Sequence, residues 1–206
     1  MHLAFKIGLD KIDSLNYPNI LPEEIDFFLN KAQERFVKQR YGFTNVKKQS
    51  FEETEKRTND LRALVKNSLI TATTTQPLGT LLPYDPLTNI DVNAQFVELP
   101  NDYWFMVQER ANLSYLNCNN VVTTDSVYVK ASQHDDYSRL IDNPFEKPLE
   151  TKVLRFMAEG KAELIHAPGT TVTGYNLRYI KKPLPIVLVP NVNTYCELSE
   201  HTHSEI

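Results

Sequence analysis

An amphipathic segment near the start of the chain constrains its fold more than any other feature. The segment from Pro22 to Gly42 has the sequence PEEIDFFLNKAQERFVKQRYG. Its apolar residues recur at i, i+3, i+4, i+7 and i+11, which is the spacing of one buried stripe on a helix. These residues are Ile25, Phe28, Leu29, Ala32 and Phe36. Pro22 suits a first helical turn and Gly42 suits a helix end, so we predict a core helix without catalytic residues.

The composition of the whole chain excludes several classes of function. A length of 206 residues with 41% hydrophobic content favours one domain, or two small subdomains that share a core. The formal net charge of -4 argues against a dominant phosphate-binding surface. Cys118 and Cys196 lack the spacing of a zinc site or a disulfide framework. Because we find neither a secretory signal nor an apolar run of about 18 residues, we expect cytoplasmic synthesis and no membrane partner.

Residues 1–75 are predicted to form a helical bundle. A weak first helix is indicated between Phe5 and Ile12, and the second helix is the segment that begins at Pro22. The third is predicted from Ser50 to Lys66, because Ser50 followed by Glu53 is a capping-box pattern. The short connection between the second and third helices permits an antiparallel pair.

Residues 76–198 are predicted to form an antiparallel β-rich part. Tyr103 to Tyr115 alternates apolar and polar residues with period two, which indicates a strand. Asn117 to Asn120 and Thr124 to Ser126 resemble turns, and a further strand is predicted to begin at Val127. A meander of antiparallel strands follows from this pattern.

A hairpin and one further strand are predicted closer to the end of this part. Val153 to Ala158 and Lys161 to Ile165 flank Gly160, which indicates a hairpin. Tyr175, Leu177 and Tyr179 alternate with more polar neighbours, which indicates another strand.

Two short helical pieces complete the predicted α+β fold, which we expect to form one structural unit overall. The insertion 134–148 is predicted to hold a short helix that ends before Pro144. Its expected anchors are Tyr137, Leu140, Ile141 and Phe145. Residues 199–206 are predicted to start a C-terminal helix with Ser199 as its N-cap. Because two isolated turns are marginal, we expect either a natural continuation beyond Ile206 or a docking partner for these residues.

Few residues suggest metal chemistry. His134, Asp135 and Asp136 are a candidate metal-binding group, but adjacent residues rarely converge on a metal, and a solvated helix start explains them better. His201 and His203 would share one face of a strand, but on a helix they lie about 200° apart. We therefore predict no metal-ligating residue.

The sequence also lacks the usual signatures of nucleotide binding and hydrolysis. None of its six glycines falls in a phosphate-loop pattern, and no GxSxG elbow occurs. Two lysine pairs can touch DNA phosphates, although such pairs are more often simply solvated. The pairs are Lys47 with Lys48, and Lys181 with Lys182. Trp104 is expected to be a core or interface anchor. We predict no catalytic or cofactor-binding residue and no enzyme activity.

Several segments, taken in order, resemble the ring and head-to-tail adaptor proteins of short-tailed phages, most closely those of crAss-like phages. These segments are LPEEIDFFLNKAQERFVKQRYG, FEETEKRTNDLRALV, VELPNDYWFMVQERANLSYLNCN, HDDYSRLIDNPFEKP, YIKKPLPI and CELSEHTHSEI. The resemblance implies an α+β subunit that assembles with its own copies into a ring, commonly twelvefold, below the portal of the capsid. Phage DNA would pass through the lumen of this ring.

The leading hypothesis is therefore a virion structural protein of the head-tail connector or tail barrel, with the portal or neighbouring ring proteins as partners. DNA would be contacted without sequence-specific binding. In the family, the closing motif leads into a longer C-terminal helix, so the stop at Ile206 departs from the pattern. The polar side of the helix at Pro22, with Lys31, Glu34 and Lys38, is expected to meet a neighbouring copy.

Two alternatives stay open from the sequence. One is a nucleic-acid-binding module that uses the lysine pairs, whose affinity would fall steeply with salt. The other is a metal-dependent enzyme that uses His134, Asp135 and Asp136.

Overall fold

The structure, a computed structural model, is an α+β fold, as the sequence predicts. It describes residues 5, 21–43, 55–71, 74–77, 93–158, 160–189, 192–194 and 196–206. The chain divides into two compact units. The first unit comprises Met1–Val65 and Ile180–Ile206, and the second comprises Lys66–Tyr179.

The first unit contains the predicted core helix, α1, over Pro22–Lys38. The Glu24 carboxylate accepts a hydrogen bond from the backbone N–H of Leu21 at 3.1 Å, which satisfies one unpaired donor at the helix start. A π-type turn, Gln39–Phe43, follows, and its Gly42 has non-helical angles, which confirms the predicted end.

The buried side of α1 differs from the predicted stripe. Ile25, Leu29 and Phe36 are buried as expected, but Phe28 is 53% exposed, and Gln33 is buried. The reason is tertiary: the side-chain amide of Gln33 donates to the carbonyl of Leu184 at 3.3 Å. An extended segment thus turns a polar side of the helix inward, which helical periodicity alone does not reveal.

The bundle predicted for residues 1–75 is wrong for the part of this range that the structure describes. Helix α2 spans only Glu55–Leu61, and a 3₁₀ turn, Arg62–Leu64, ends it. The predicted continuation to Lys66 is instead the start of strand β1, Val65–Ile70. Nearly all of the weak first helix, as well as the capping box at Ser50, lies outside the described residues.

An eight-stranded sheet dominates the second unit, in the order β1-β8-β4-β5-β6-β7-β3-β2. After β1, its strands are β2 Thr74–Pro77, β3 Asn93–Glu98, β4 Tyr103–Leu116, β5 Val122–Ala131, β6 Lys152–Ala158, β7 Lys161–His166 and β8 Thr170–Lys181. Strand β4, the hairpin of β6 and β7 around Gly160, and β8 confirm their predictions. A separate two-stranded sheet pairs β9 Val187–Val189 with β10 Val192–Thr194.

Two predictions for the sheet are wrong. Thr124 to Ser126 are not a turn, because they pair with Asn112 to Ser114 inside β5. The strands are also not all antiparallel, since β5 and β6 run parallel, with Tyr128 opposite Lys152. A parallel pair needs a crossover of a dozen or more residues, and the chain between β5 and β6 supplies it.

The sheet curls strongly, as the connection between its two edge strands requires. Strands β1 and β2 stand at opposite edges, yet only three residues separate Ile70 from Thr74. Seven strand spacings in a flat sheet measure about 34 Å, whereas the four residue steps from Ile70 to Thr74 reach at most about 14 Å. The concave side therefore encloses a core. Its buried residues are Val97, Ala111, Leu113, Val127, Val129, Val153, Ala162, Leu164, Val172, Tyr175, Leu177 and Tyr179.

The insertion covers a second, smaller core on the other side of the sheet. A 3₁₀ turn, His134–Asp136, leads into helix α3, Tyr137–Asp142, which ends before Pro144 as predicted. Leu140 and Ile141 are buried there, and Tyr137 packs at the edge. The prediction that Phe145 anchors the insertion is wrong, because its side chain is 88% exposed.

The chain end forms less helix than predicted. A single 3₁₀ turn, Glu200–Thr202, follows Ser199, whose side chain makes no capping bond. Among the described residues, no helix is long and apolar enough to cross a membrane.

Candidate assembly surface

The three residues of the candidate metal group do not converge. His134 lies with its Nε2 atom 3.2 Å from the carbonyl oxygen of Met157, while Asp136 pairs with Arg139 at 3.2 Å. Asp135 is exposed. Within the described parts of the chain, no group of three His, Cys, Asp or Glu residues is arranged to hold a metal ion.

The two C-terminal histidines serve the packing of the chain end. His201 Nε2 lies 3.3 Å from an oxygen of the buried Asp60, and His203 Nε2 lies 3.0 Å from the carbonyl oxygen of Leu198. Arg40 reaches the other oxygen of Asp60 at 2.8 Å and also pairs with Glu205. These contacts lie within the first unit and hold its C-terminal turn beside α2.

The lysines of the second predicted basic pair are matched by carboxylates. Lys181 is largely buried and forms an ion pair with Glu197, and Lys182 lies 3.7 Å from Glu34. Lys47 and Lys48 lie outside the described residues. The positive charges of Lys181 and Lys182, the predicted phosphate-binding pair that the structure describes, are therefore largely neutralised by neighbouring carboxylates.

A buried polar cluster, which sequence reasoning missed, crosses the interior of the curled sheet. Arg155 Nε lies 2.7 Å from the Glu109 carboxylate, to which the Tyr175 hydroxyl donates at 2.5 Å. Burial raises the pKa of Tyr175 far above its usual range, and the adjacent Glu109 charge adds to this effect. The cluster joins β4, β6 and β8, and its Glu109 also lines a cavity of about 390 Å³. Trp104 is half-buried and stacks on Phe105 at 4.8 Å, which is consistent with an anchor.

A second buried group is a carboxyl without a hydrogen-bond partner. Glu163 is fully buried on β7, and neither of its side-chain oxygens is hydrogen-bonded within the described structure. Burial raises its pKa, and the nearby His134 offsets part of this shift. The group destabilises the fold when it is ionised, because an unpaired buried charge is costly.

The most distinctive surface is the end of a long β-hairpin, which we call the hairpin arm and define as residues 111–127. The base of the arm belongs to the sheet core, since Ala111 and Leu113 are buried and the Thr173 hydroxyl of β8 donates to the carbonyl of Asn112. Its strands pair from Ala111 opposite Val127 out to Leu116 opposite Val122. Strand β6 begins to pair with β5 only at Tyr128. Six residue steps separate Tyr128 from Val122, so the arm extends about 20 Å past the start of β6.

The end of the arm carries exposed apolar side chains. Leu116 is 61% exposed, Val121 57% and Val122 67%, and the adjacent Cys118 is exposed as well. Clustered apolar side chains on a projecting element are typical of a protein–protein contact. Sequence reasoning missed this site. The sequence did contain a signal of it, because apolar residues stand directly beside the NCNN turn, where polar residues are usual.

The turn of the arm is closed by backbone hydrogen bonds and by the side chain of Asn117. The Asn117 side-chain oxygen accepts hydrogen bonds from the backbone N–H groups of Asn119 at 2.9 Å and Val121 at 3.0 Å. Its amide nitrogen lies 3.3 Å from the Thr123 hydroxyl, and Asn120 adopts a positive φ of 56°. A rigid, exposed apolar turn loses little conformational entropy on binding, which favours a contact role.

The charge of the arm is also unusual. Residues 111–127 contain no Lys or Arg, and their single charged residue is Asp125. Asp125 accepts a hydrogen bond from the Tyr115 hydroxyl at 2.6 Å, and this bond raises the pKa of Tyr115. The arm therefore offers apolar contacts and no cation for a phosphate.

A second exposed apolar surface lies on α1. Phe27 is 62% exposed and packs edge-on against Phe28, with Lys31 placed 5.9 Å over the Phe27 ring. On the polar side of this helix, Glu34 lies 3.8 Å from Lys38. The aromatic pair of α1, more than its charged side, has the character of a contact surface.

Comparison with known proteins identifies a matching family and two relatives of this chain. The family described as phage tail ring protein 3/4 matches residues 4–206 of the chain. Ring protein 3 of Bacteroides phage crAss001 is 32% identical over 205 residues, which cover 92% of this chain and 83% of that protein. Ring protein 4/5 of the same phage is 27% identical over 220 residues, which cover 98% of this chain and 85% of that protein.

Proposed function

This chain belongs to the phage tail ring protein 3/4 family and is a structural ring protein of crAss-like phages, and we propose that its copies close into a ring at the head-to-tail connector or in the tail barrel, below the portal. The hairpin arm is the observation that supports this role. Each subunit of a ring meets two neighbours through two different surfaces. A rigid arm with exposed Leu116, Val121 and Val122 is suited to be one of them.

We propose further that phage DNA passes through the ring without being bound by sequence. The net charge of -4 and the absence of Lys and Arg from residues 111–127 support this, because DNA binding depends on clustered cations. The partners in the virion would be the portal or the neighbouring ring proteins. The role is structural, with no catalytic step.

Native mass spectrometry of the purified protein over a range of concentrations tests ring formation. A twelvefold ring has a mass of about 284 kDa, which is twelve times the 23.7 kDa subunit. Cryo-electron microscopy of the virion then identifies the level of the tail at which the ring lies and its neighbours. A protein that stays at 23.7 kDa at every concentration, and is absent from purified virions, would refute the proposal.

A DNA-binding measurement separates this role from that of a nucleic-acid-binding module. The proposed ring should bind duplex DNA negligibly at 50 mM salt. Tight binding that weakens steeply as salt rises would indicate the competing role.

A further inference from the structure

We infer that the end of the hairpin arm of one copy inserts into an apolar cavity on the second unit of the neighbouring copy. This cavity, which we call the outer cavity, has a volume of about 430 Å³. Its apolar lining comes from Ile141, Pro148, Leu149, Ala167 and Pro168. The inference rests on the proposed ring, because it names the surfaces through which two copies meet.

The chemistry of the outer cavity matches that of the arm. The cavity has the volume and mainly apolar lining of a binding pocket, and Leu149 in this lining is 39% exposed. Lys147 and Glu150 contribute one charge of each sign to the lining. Burial lowers the pKa of His166, which favours its neutral form and adds no fixed charge. A ligand with three apolar side chains and no cation, such as the arm end, suits such a site.

The geometry favours insertion between copies over insertion within one chain. The cavity lies beside the start of β6, because its lining residues 147–151 directly precede Lys152. Lys152 lies opposite Tyr128, at the base of the arm. The arm end is about 20 Å farther along the strands, and the bonds of Asn117 hold its turn closed. A paired hairpin of this length does not fold back onto its own base, so an arm that enters this cavity comes from a second copy.

The pairing also satisfies the symmetry of a ring. A projection on one surface and a cavity on a different surface form a heterologous contact, which closes into a ring when the rotation between copies allows it. A competing site exists in the same unit, a more polar cavity of about 390 Å³ lined in part by Asn67, Leu69 and Arg178. Leu69 is 68% exposed, so a cysteine there is more accessible than one at Leu149, and a lower yield of dimer cannot be attributed to burial.

Cysteine cross-linking of the full chain tests the inference. In a Cys118→Ser parent, three variants are made separately: Val122→Cys in the arm, Leu149→Cys at the outer cavity and Leu69→Cys at the competing cavity. Each variant is first checked for ring formation by mass photometry. Mild oxidation of the Val122→Cys and Leu149→Cys proteins, mixed under ring-forming conditions, should give a covalent dimer that reduction reverses. Mixing Val122→Cys with Leu69→Cys should give at least tenfold less dimer.

The outcomes distinguish this inference from the function on which it depends. Rings that form without a bond between positions 122 and 149, or with a dominant bond between 122 and 69, overturn the inference and leave the ring intact. A bond within one chain, in a variant that carries both Val122→Cys and Leu149→Cys, also overturns it. If the parent forms no ring at any concentration, the proposed function fails and the inference fails with it.

Discussion

Polar substitution at the end of the hairpin arm should weaken ring assembly far more than it weakens the fold. Leu116 and Val122 lie opposite each other and are 61% and 67% exposed, so about two thirds of each side chain is available to a partner. Full burial of a Leu or Val side chain contributes about 1.5–3 kcal/mol. Burial of the exposed two thirds of both side chains against a neighbouring copy then contributes about 2–4 kcal/mol to each contact.

The double variant Leu116→Asn with Val122→Thr removes this contribution while it keeps the size of each side chain. At about 1.4 kcal/mol per tenfold change, the association constant of each contact should fall roughly 30- to 700-fold. The fold of the isolated subunit should lose only the stabilisation that comes from the buried third of each side chain, about 1–2 kcal/mol in total. The concentration at which rings form should therefore rise by at least an order of magnitude.

Mass photometry over a dilution series measures the assembly midpoint, and thermal unfolding measures the subunit. The control is Leu69→Asn, which changes an equally exposed leucine outside the arm and should leave the midpoint unchanged. A double variant that assembles at the wild-type midpoint would refute the assignment of the arm to the interface. So would a Leu69→Asn protein that loses assembly equally.

Three further predictions follow from single residues. Asp60→Asn should lower the free energy of unfolding by about 1.5–3 kcal/mol in urea titrations, because Asp60 is a buried acceptor paired with the Arg40 guanidinium. Glu205→Gln, at a half-exposed pair, should cost under about 1 kcal/mol. Burial raises the pKa of the Glu163 carboxyl above its ordinary value of 4.5, so the stability of the wild-type protein should fall as pH rises from 4.5 through that raised pKa. Glu163→Gln should remove this fall. A variant with the same pH profile as the wild type would show that Glu163 is not the group responsible. An alkylating reagent should modify the exposed Cys118 before Cys196, because burial raises the pKa of the Cys196 thiol, and mass spectrometry measures both rates. Ring assembly should slow the alkylation of Cys118. Equal rates for Cys118 in the free subunit and in the ring would count against the arm contact.

Local patterns in the sequence predicted the strands well because each strand interior has one buried and one solvated side. Ala111 and Leu113 are fully buried, as the alternation in β4 requires. Gly160 has a φ of 75°, which suits the hairpin turn that its neighbours predict. Helix α3 also ends before Pro144, because a residue that precedes proline is disfavoured in the helical conformation.

The failures occur where distant parts of the chain decide the outcome. The side of α1 that is buried depends on the extended segment at Ile186, whose backbone bonds to Asn30 at 2.7 and 2.8 Å. Thr124 lies in a strand only because Ser114 pairs with it. The exposure of Val122 follows from the length of the arm relative to β6, and this depends on the register between strands.

The distribution of charge links assembly to the proposed passage of DNA. Many lysines of the described chain stand beside a carboxylate, so an isolated cation that could hold a phosphate is uncommon among them. These pairs are Lys56 with Glu205, Lys66 with Asp102, Lys130 with Glu146, Lys161 with Glu98, Lys181 with Glu197, and Lys182 with Glu34. The arm contributes apolar contacts instead of charges, so copies with a net charge of -4 can associate through burial without creating a cationic surface. A ring joined in this way can close tightly around DNA and still let it slide, because adhesion to DNA and adhesion between subunits then depend on different side chains.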